Sequence, residues 1–544
     1  MSAMTGTKTQ TQAAHWIEAG EAFLGIEFGS TRIKAVMIGP DMKVLATGSH
    51  NWENRYENGV WTYALEDVIS GMQDAYAKLK AESRQRYGLV PCKLAGIGVS
   101  AMMHGYLPFD KEGRQLAAFR TWRNTSTGEA AAKLSALFDF NIPQRWSVAH
   151  LYQAVLNHEE HVKDISFLTT LEGYAHLRLT GEKVLGAGEA SGMFPLNQEG
   201  KGYDEEKLAL FNALPECRAL KLDLNAILPR MLKAGDAAGL LTKEGAALLD
   251  PQGDLEAGAP FCPPEGDAET GMVATNSIAA RTGNVSAGTS VFLMAVMEKA
   301  LSRPYPEIDI VATPDGLPVA MVHCNNCTTD LNAWVELFHQ FLRAAKLPAD
   351  KNTIYEAFFE QALQGDAACG DMLSIGYYSG EHTTGFEAGR PLLSWSDTAD
   401  LSFSNLARSI LFSSLATLRL GMDILRDEKI GMDRLLGHGG LYKTGEAGQR
   451  FTAAALDTSV SVMDTADEGG AFGIAVLAAY VKHREETGET LAEFLDNKVF
   501  SRAAVKTMQP DPADTAGFEA YIKRFRKGLA LEREAVRLFV HTEE

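Results

Sequence analysis

Two segments of this chain run a short apolar strand into a glycine and then hydroxyl residues: Gly25-Ile26-Glu27-Phe28-Gly29-Ser30-Thr31-Arg32-Ile33-Lys34, and later Asn284-Val285-Ser286-Ala287-Gly288-Thr289-Ser290-Val291. A turn of this kind can aim backbone N–H groups and Ser/Thr hydroxyls at phosphate oxygens. One such triplet is an ordinary hairpin turn. Two of them suggest two lobes gripping one nucleotide.

Other side chains can supply chemistry to such a nucleotide. Asp267, in Glu265-Gly266-Asp267-Ala268-Glu269-Thr270-Gly271, is a carboxylate in a Gly-flanked loop. It is either a group that accepts a proton from an attacking hydroxyl or a cap on the following helix. Glu27, beside the first turn, is either a Mg²⁺ ligand, direct or through water, or an exposed strand residue. In Met102-Met103-His104-Gly105, His104 can hydrogen-bond a hydroxyl or carbonyl, and Trp122 can offer an aromatic face to a sugar; the alternative for His104 is a satisfied core group. Gly437-His438-Gly439-Gly440-Leu441-Tyr442-Lys443-Thr444 nearly fits GxxxxGK[ST], but Tyr442 stands where the second glycine must be, so a Walker loop is rejected. Gly439, Gly440 and Lys443 can still present amides and a charge. A GxGxxG dinucleotide fingerprint after a strand is absent.

These groups need elements to hold them. Apolar runs predict strands at Phe23 to Phe28, Ile33 to Ile38 and Val44 to Thr47, a helix over Asp67 to Arg84, and a buried strand over Leu94 to Ser100. The second half repeats the order. Strands flank the Gly288 turn within Arg281 to Ala295, another spans Leu317 to His323, a long amphipathic helix covers Leu401 to Leu425, and the strand Arg434 to Leu436 precedes an Ala-rich helix over Gly470 to Val481. The pattern implies two related α/β lobes with a cleft between them and a boundary near Asn276 to Gly283. The expected domains are a flexible tail (1–21), disordered or loosely helical, a first lobe (22–278), a second lobe (279–490) and a helical extension (491–544), in which Tyr521, Phe525 and Leu529 share one side and pack on the second lobe.

The 544 residues allow two sizeable cores. With 51 basic against 70 acidic residues the net charge is −19, which argues against nucleic acid or an anionic membrane as partner. The first twenty residues lack the apolar core of a signal peptide, and no run reaches the ~18–20 apolar residues of a membrane span, so a cytoplasmic protein is expected. Of six cysteines only Cys324 and Cys327 form a CxxC, without a second pair or a His cluster; reduced thiols are the expectation.

Taken together, these segments resemble the FGGY family of carbohydrate kinases, most closely its xylulokinase-like branch, over about Phe23 to His483. The family's opening motif is matched by Glu27, Gly29, Ser30, Thr31 and Lys34, and the Met-His-Gly substrate signature by Met103, His104 and Gly105. Leu179-Thr180-Gly181-Glu182 is similar to a further family segment. The family's Gly-Asp, with its catalytic base, falls on Gly266 and Asp267, and Gly-Thr-Ser begins at Gly288, 21 residues on. Tyr377 to His382 is similar to another family segment, and the adenosine-side elements correspond to Gly437 through Lys443 and to Glu468 through Gly473.

The resemblance implies two actin-like, ribonuclease-H-like lobes, each a mixed β-sheet flanked by helices, with ATP, Mg²⁺ and a sugar meeting in a central cleft. It implies that Asp267 is the base, that Glu27 stands on the metal side, and that Gly29, Ser30, Thr31, Lys34, Gly288, Thr289 and Ser290 face phosphates. Met103, His104 and Gly105, with Trp122 and Asn124, would read the sugar. Two departures stand out. Glu27 replaces the usual Asp, and Trp122-Arg123-Asn124-Thr125-Ser126 replaces Trp-x-Asp-x-Arg, removing a charged hydroxyl acceptor and an ion pair. The expected activity is ATP-dependent phosphorylation of a ketose hydroxyl; the alternatives are a sugar-responsive regulatory protein of the same fold and a chaperone-type ATPase. The sequence leaves a homodimer open.

Overall fold

The computed structural model describes residues 2–348, 350–443, 445–463 and 469–539, with backbone only for 2–9. The chain divides into two compact units. The first comprises residues 1–278, 310–319 and 465–502, and the second 279–309, 320–464 and 503–544.

The first unit is built on a five-stranded sheet of β1 (Phe23–Phe28), β2 (Arg32–Ile38), β3 (Val44–Asn51), β4 (Gly96–Ala101) and β5 (Glu265–Gly266), in the order β5-β4-β1-β2-β3. The first three strands form an antiparallel meander; β4 and β5 extend it in parallel with β1. Every residue of β1 is buried except Glu27, the pattern of a strand covered on both faces. Each buried Phe, Leu or Ile contributes about 1.5–3 kcal/mol over its exposed state.

The helix Leu65–Tyr87 covers one face, with Val68, Met72, Tyr76 and Leu79 buried at helical spacing. The helix Gly469–Thr487 covers the other. Its backbone comes so close that a Cβ at Gly25 would lie 2.1 Å from the Ala471 carbonyl oxygen, and one at Gly98 2.7 Å from that of Ile474. Sequence order assigns this helix to the second lobe. The structure assigns it to the first unit, because its Ala/Gly-rich surface fits the flat glycine patch on β1 and β4. The extension divides in the same way, residues 491–502 going to the first unit.

Of the two readings of the N-terminal tail, disordered or loosely helical, the structure has the helical one from Ser2 to Ala19, and Ala13 and Ile17, one turn apart, are buried in the first core.

A seven-stranded sheet is formed by β6 (Thr282–Ala287), β7 (Val291–Val296), β8 (Asp309–Ala312), β9 (Pro318–Cys324), β10 (Arg434–His438), β11 (Val460–Met463) and β12 (Val505–Met508), in the order β8-β9-β7-β6-β10-β11-β12; its residues fall in the second unit except 310–312 of β8 and 318–319 of β9. As in the first unit, an antiparallel hairpin (β6-β7) is extended by two parallel strands (β10, β11). The long helix Phe403–Asp427 packs in this unit, and the C-terminal helix Pro512–Phe539 is fixed there by the buried Arg408–Asp514 ion pair and by the Tyr521 hydroxyl donating to the Ser374 carbonyl at 2.7 Å. Tyr521 and Phe525 are buried and Leu529 is half-buried. No helix among the described residues is long and apolar enough to cross a membrane.

Candidate active site

In the first unit, strand register decides which residues meet. Phe28 of β1 pairs with Ala101 of β4, which pairs with Gly266 of β5, so three parallel strands end side by side. Neighbouring strands lie ~4.8 Å apart. The residues around these ends are Glu27 and Gly29, then Met102 to Gly105, then Asp267. The carboxyl edge of a sheet is where open α/β folds hold ligands.

Asp267 opens the helix Asp267–Ala274 as its first residue, after Gly266 at the N-cap; it is therefore not the cap of that helix. The helix N-terminus favours its anionic form. It is half-buried, and its Oδ1 accepts the Met103 amide at 3.2 Å. Burial outweighs these amides and pushes its pKa up to about 6.

Glu27 lies opposite Lys34 across the β1-β2 pair, so both project from one face of the sheet. Its Oε2 accepts the Ala471 amide at 3.2 Å, in the first turn of the helix Gly469–Thr487. A Cβ at Gly470 would lie 2.7 Å from both Glu27 Oε1 and Thr270 Oγ1, so glycine there keeps the carboxylate's space open. Ala471 lies in the segment that the resemblance puts on the adenosine side; in the structure its amide meets Glu27. Glu468 of that segment lies outside the described residues.

The first glycine turn is held from one side. The carbonyls of Gly29, Ser30 and Thr31 accept from the Trp52 ring N–H (2.7 Å), the Tyr63 hydroxyl (2.6 Å) and the Trp52 amide (3.2 Å). Trp52 and Tyr63 stack with ring centroids 4.2 Å apart. Thr31 is exposed and Ser30 half-buried.

His104 has φ +72° and Gly105 φ +129°. His104 is buried, with its ring stacked on Trp146 at 6.4 Å, and its amide donates to Glu189 Oε1 at 3.0 Å. Phe119 to Asn124 runs alongside, Tyr106 and Arg120 exchanging both main-chain hydrogen bonds. Trp122 is half-buried here. Asn124, expected among the sugar readers, instead clasps main chain. Its Oδ1 accepts from the Trp61 amide (2.9 Å), and its Nδ2 donates to the carbonyls of Trp61 (2.8 Å) and Thr121 (3.0 Å). With both amide hydrogens used and 6% exposure, it fixes the loop that carries Trp122.

Sequence reasoning overlooked a group of carboxyls behind this edge: Glu172, Glu189, Glu265 and Glu269, all fully buried. Burial pushes all four above the ordinary carboxylate range, Glu265 to about 8; neighbouring glutamates add to the rise at Glu172, Glu189 and Glu269, and Asp315 at Glu265. Isolated glutamates read as surface residues in a sequence; only the closeness of Gly186 and Gly188 to Glu189 hinted at a crowded spot.

The second unit brings its own predicted residues together. Ser286 pairs with His438, so the Gly288-Thr289-Ser290 turn after β6 and Gly439-Gly440 after β10 leave adjacent parallel strands. The carbonyls of Gly288 and Thr289 accept from Thr328 and Cys327 amides at 3.0 Å, at the start of the helix Thr328–Ala344. Lys443 is exposed; Thr444 lies outside the described residues. Tyr442 is buried, its ring filling the space beside Gly437, which is why it cannot serve as a phosphate-loop glycine. Cys324 and Cys327 are buried free thiols that burial holds protonated, Cys327 with its pKa at about 12.

Paired α/β units with glycine turns at parallel strand ends define the actin-like class of phosphoryl-transfer folds. The chain belongs to the FGGY family of carbohydrate kinases: residues 22–272 match its N-terminal domain and 283–481 its C-terminal domain. It is a phosphotransferase with an alcohol group as acceptor. It is similar to the xylulose kinase of Haemophilus influenzae, with 22% identity over 499 residues that span 87% of this chain and 92% of that one. Its fold is shared by the xylulose kinase of Rhodospirillum rubrum (TM-score 0.75, 17% identity, 96% of this chain and 100% of that one). The gluconate kinase of Lactobacillus acidophilus has the same fold (TM-score 0.76, 16% identity, 94% of this chain and 98% of that one).

Proposed function

We propose that this sugar kinase transfers the γ-phosphoryl group of ATP to a primary hydroxyl of a ketose, a pentulose or a close relative, with Asp267 as the general base. The observation that carries this is the placement of Asp267: a half-buried carboxylate with its pKa at about 6, hydrogen-bonded to the turn that holds Met103 and His104. A base poised near neutral pH both holds little proton at pH 7 and accepts one readily. The likeness to a xylulose kinase over most of both chains supports a ketose as acceptor.

As the sugar oxygen forms its bond to the γ-phosphorus, its proton passes to an Asp267 carboxylate oxygen and the bond to the ADP oxygen breaks. The turns at Gly29 to Thr31 and at Gly288 to Ser290 would hold phosphate oxygens, with Lys34 and Lys443 as cations and Gly439-Gly440 on the nucleotide. His104 and Trp122 would face the sugar, and Asn124 would act only by fixing the loop.

The donor set fits Mg²⁺. Glu27 offers one carboxylate beside a space that a Cβ at residue 470 would fill, and among the described residues no three His, Cys, Asp or Glu side chains converge into an all-protein cage. Mg²⁺ takes one or two carboxylates plus phosphates and water, and when bound it neutralises charge on the phosphates.

The test is a coupled ADP-release assay against a panel of ketoses, aldonates and polyols. Ketose-stimulated turnover that falls at least ~10²-fold in Asp267→Ala is expected, the scale of general base catalysis. Preference for an aldonate or polyol would overturn the ketose assignment, and near-normal turnover in the variant would overturn the base.

A further inference from the structure

We infer that Glu189 is a positioning residue for the sugar-reading turn, its carboxyl fixing the main chain of His104 and so the aim of the His104 side chain. The inference rests on the proposal that His104 faces the sugar.

A histidine at φ +72° costs on the order of 1 kcal/mol relative to the right-handed region and persists only where its surroundings impose it. Here two carboxyls hold two consecutive amides, Met103 on Asp267 at 3.2 Å and His104 on Glu189 at 3.0 Å. The Ser147 hydroxyl donates to the Gly105 carbonyl, closing the far side of the turn.

Glu189 comes from a separate element, the helix Ala187–Met193, and that helix is itself held by the strand that carries the base. The Glu189 amide donates to Glu265 Oε2 at 2.9 Å, and the Gly188 amide approaches Glu265 Oε1 at 3.4 Å. Glu265 belongs to β5, two residues before Asp267. One strand therefore sets both the base directly and the sugar-reading turn through Glu265 and Glu189.

The carboxyl is packed without slack. A Cβ at Gly266 would lie 2.7 Å from Glu189 Oε2, and one at Gly192 2.5 Å from His104 Nδ1, so the helix and β5 close around the turn only with glycine at both places. The groups that face Glu189 are Glu172, Glu265, Glu269 and the Tyr203 hydroxyl. Glu189 makes no ion pair with Lys or Arg among the described residues, and burial with this crowd of carboxyls raises its pKa well above the ordinary range. Its part is that of an acceptor at this reach, for which an amide of the same length is a substitute and a shorter carboxylate is not.

The experiment uses the full-length protein and its Glu189→Gln, Glu189→Asp and His104→Ala variants. Hydrogen–deuterium exchange is followed in peptides spanning residues 100–107, and the KM for D-xylulose and for D-ribulose is measured by ADP release. In Glu189→Asp, exchange should quicken and the sugar KM rise by about 10-fold, the scale of one lost hydrogen bond, with kcat within about 3-fold. Glu189→Gln should move neither by more than about 3-fold. Unchanged exchange in Glu189→Asp, or equal impairment in Glu189→Gln, overturns the inference; the exchange measurement needs no acceptor. If exchange quickens and the sugar KM stays while His104→Ala raises it, the positioning role alone falls. If His104→Ala also leaves KM unchanged, the sugar contact of His104 falls, and the inference with it.

Discussion

Asp267 Oδ1 accepts the Met103 amide at 3.2 Å, which ties the carboxylate at the end of β5 to the turn at the end of β4. Asp267→Asn keeps an acceptor at that oxygen and removes the basicity. Turnover should drop by ~10² or more while the sugar KM stays within a few-fold, a split that an Ala variant would blur. The same replacement should stabilise the fold. A carboxyl with its folded pKa raised from 3.8 to about 6 stabilises most when protonated, and that contribution is lost as pH rises through about 6. Neutral Asn should therefore raise the melting temperature at pH 7.5, by an amount equivalent to roughly 1–2 kcal/mol. An unchanged or lower melting temperature would contradict the burial argument.

The pH dependence of kcat/KM follows from the same group. The base must be unprotonated in the free enzyme, so kcat/KM should fall tenfold per pH unit below about 6 and level off above it. A limb near pH 4 would mean that Asp267 is no more shielded than a surface carboxylate.

Gly470 tests the metal side. A methyl group there would stand 2.7 Å from Glu27 Oε1 and Thr270 Oγ1. Gly470→Ala should raise the Mg²⁺ concentration for half-maximal activity by at least about 5-fold, roughly 1 kcal/mol, and leave the sugar KM unchanged. A titration of activity against Mg²⁺ at saturating ATP decides it.

Much of this arrangement was legible in the sequence, and the rest was hidden for identifiable reasons. The strands at Phe23–Phe28 and Arg32–Ile38 and the turns at Gly29 and Gly288 are local features, written in apolar runs and turn residues, and they stand where those patterns put them. The helix Gly469–Thr487 was legible as a helix but not as a partner of β1. Its contact with Gly25 joins residues over four hundred positions apart, and only the small size of the residues on both sides records it. The N-terminal helix was legible only as the loosely helical alternative to disorder, because its buried positions, Ala13 and Ile17, follow directly on a Thr/Gln-rich stretch. Asn124 looked like a displaced acid of the sugar site, whereas its amide matches the main chain of Trp61. Glu265 and Glu269 gave no signal, and Glu189 only the glycines beside it, because burial of a glutamate is a property of its neighbours.

These buried carboxyls set an alkaline limit on stability. Glu265, ordinarily near 4.5, has its folded pKa at about 8, so the folded state holds a proton that the unfolded chain releases between those values. Stability should therefore fall as pH rises from about 5 through 8. Melting temperatures measured from pH 6 to 9 should decline, and less steeply in Glu265→Gln. Equal slopes for the two proteins would remove Glu265 from the cause.

The central claim is that Asp267 deprotonates the hydroxyl of a ketose as it takes the phosphoryl group. The most direct measurement is ADP release with saturating MgATP and D-xylulose or D-ribulose, comparing the wild-type protein with Asp267→Asn. The account predicts ketose-dependent turnover in the wild type and a loss of at least ~10²-fold in the variant, with the ketose still bound. Turnover by the variant within a few-fold of wild type would contradict it.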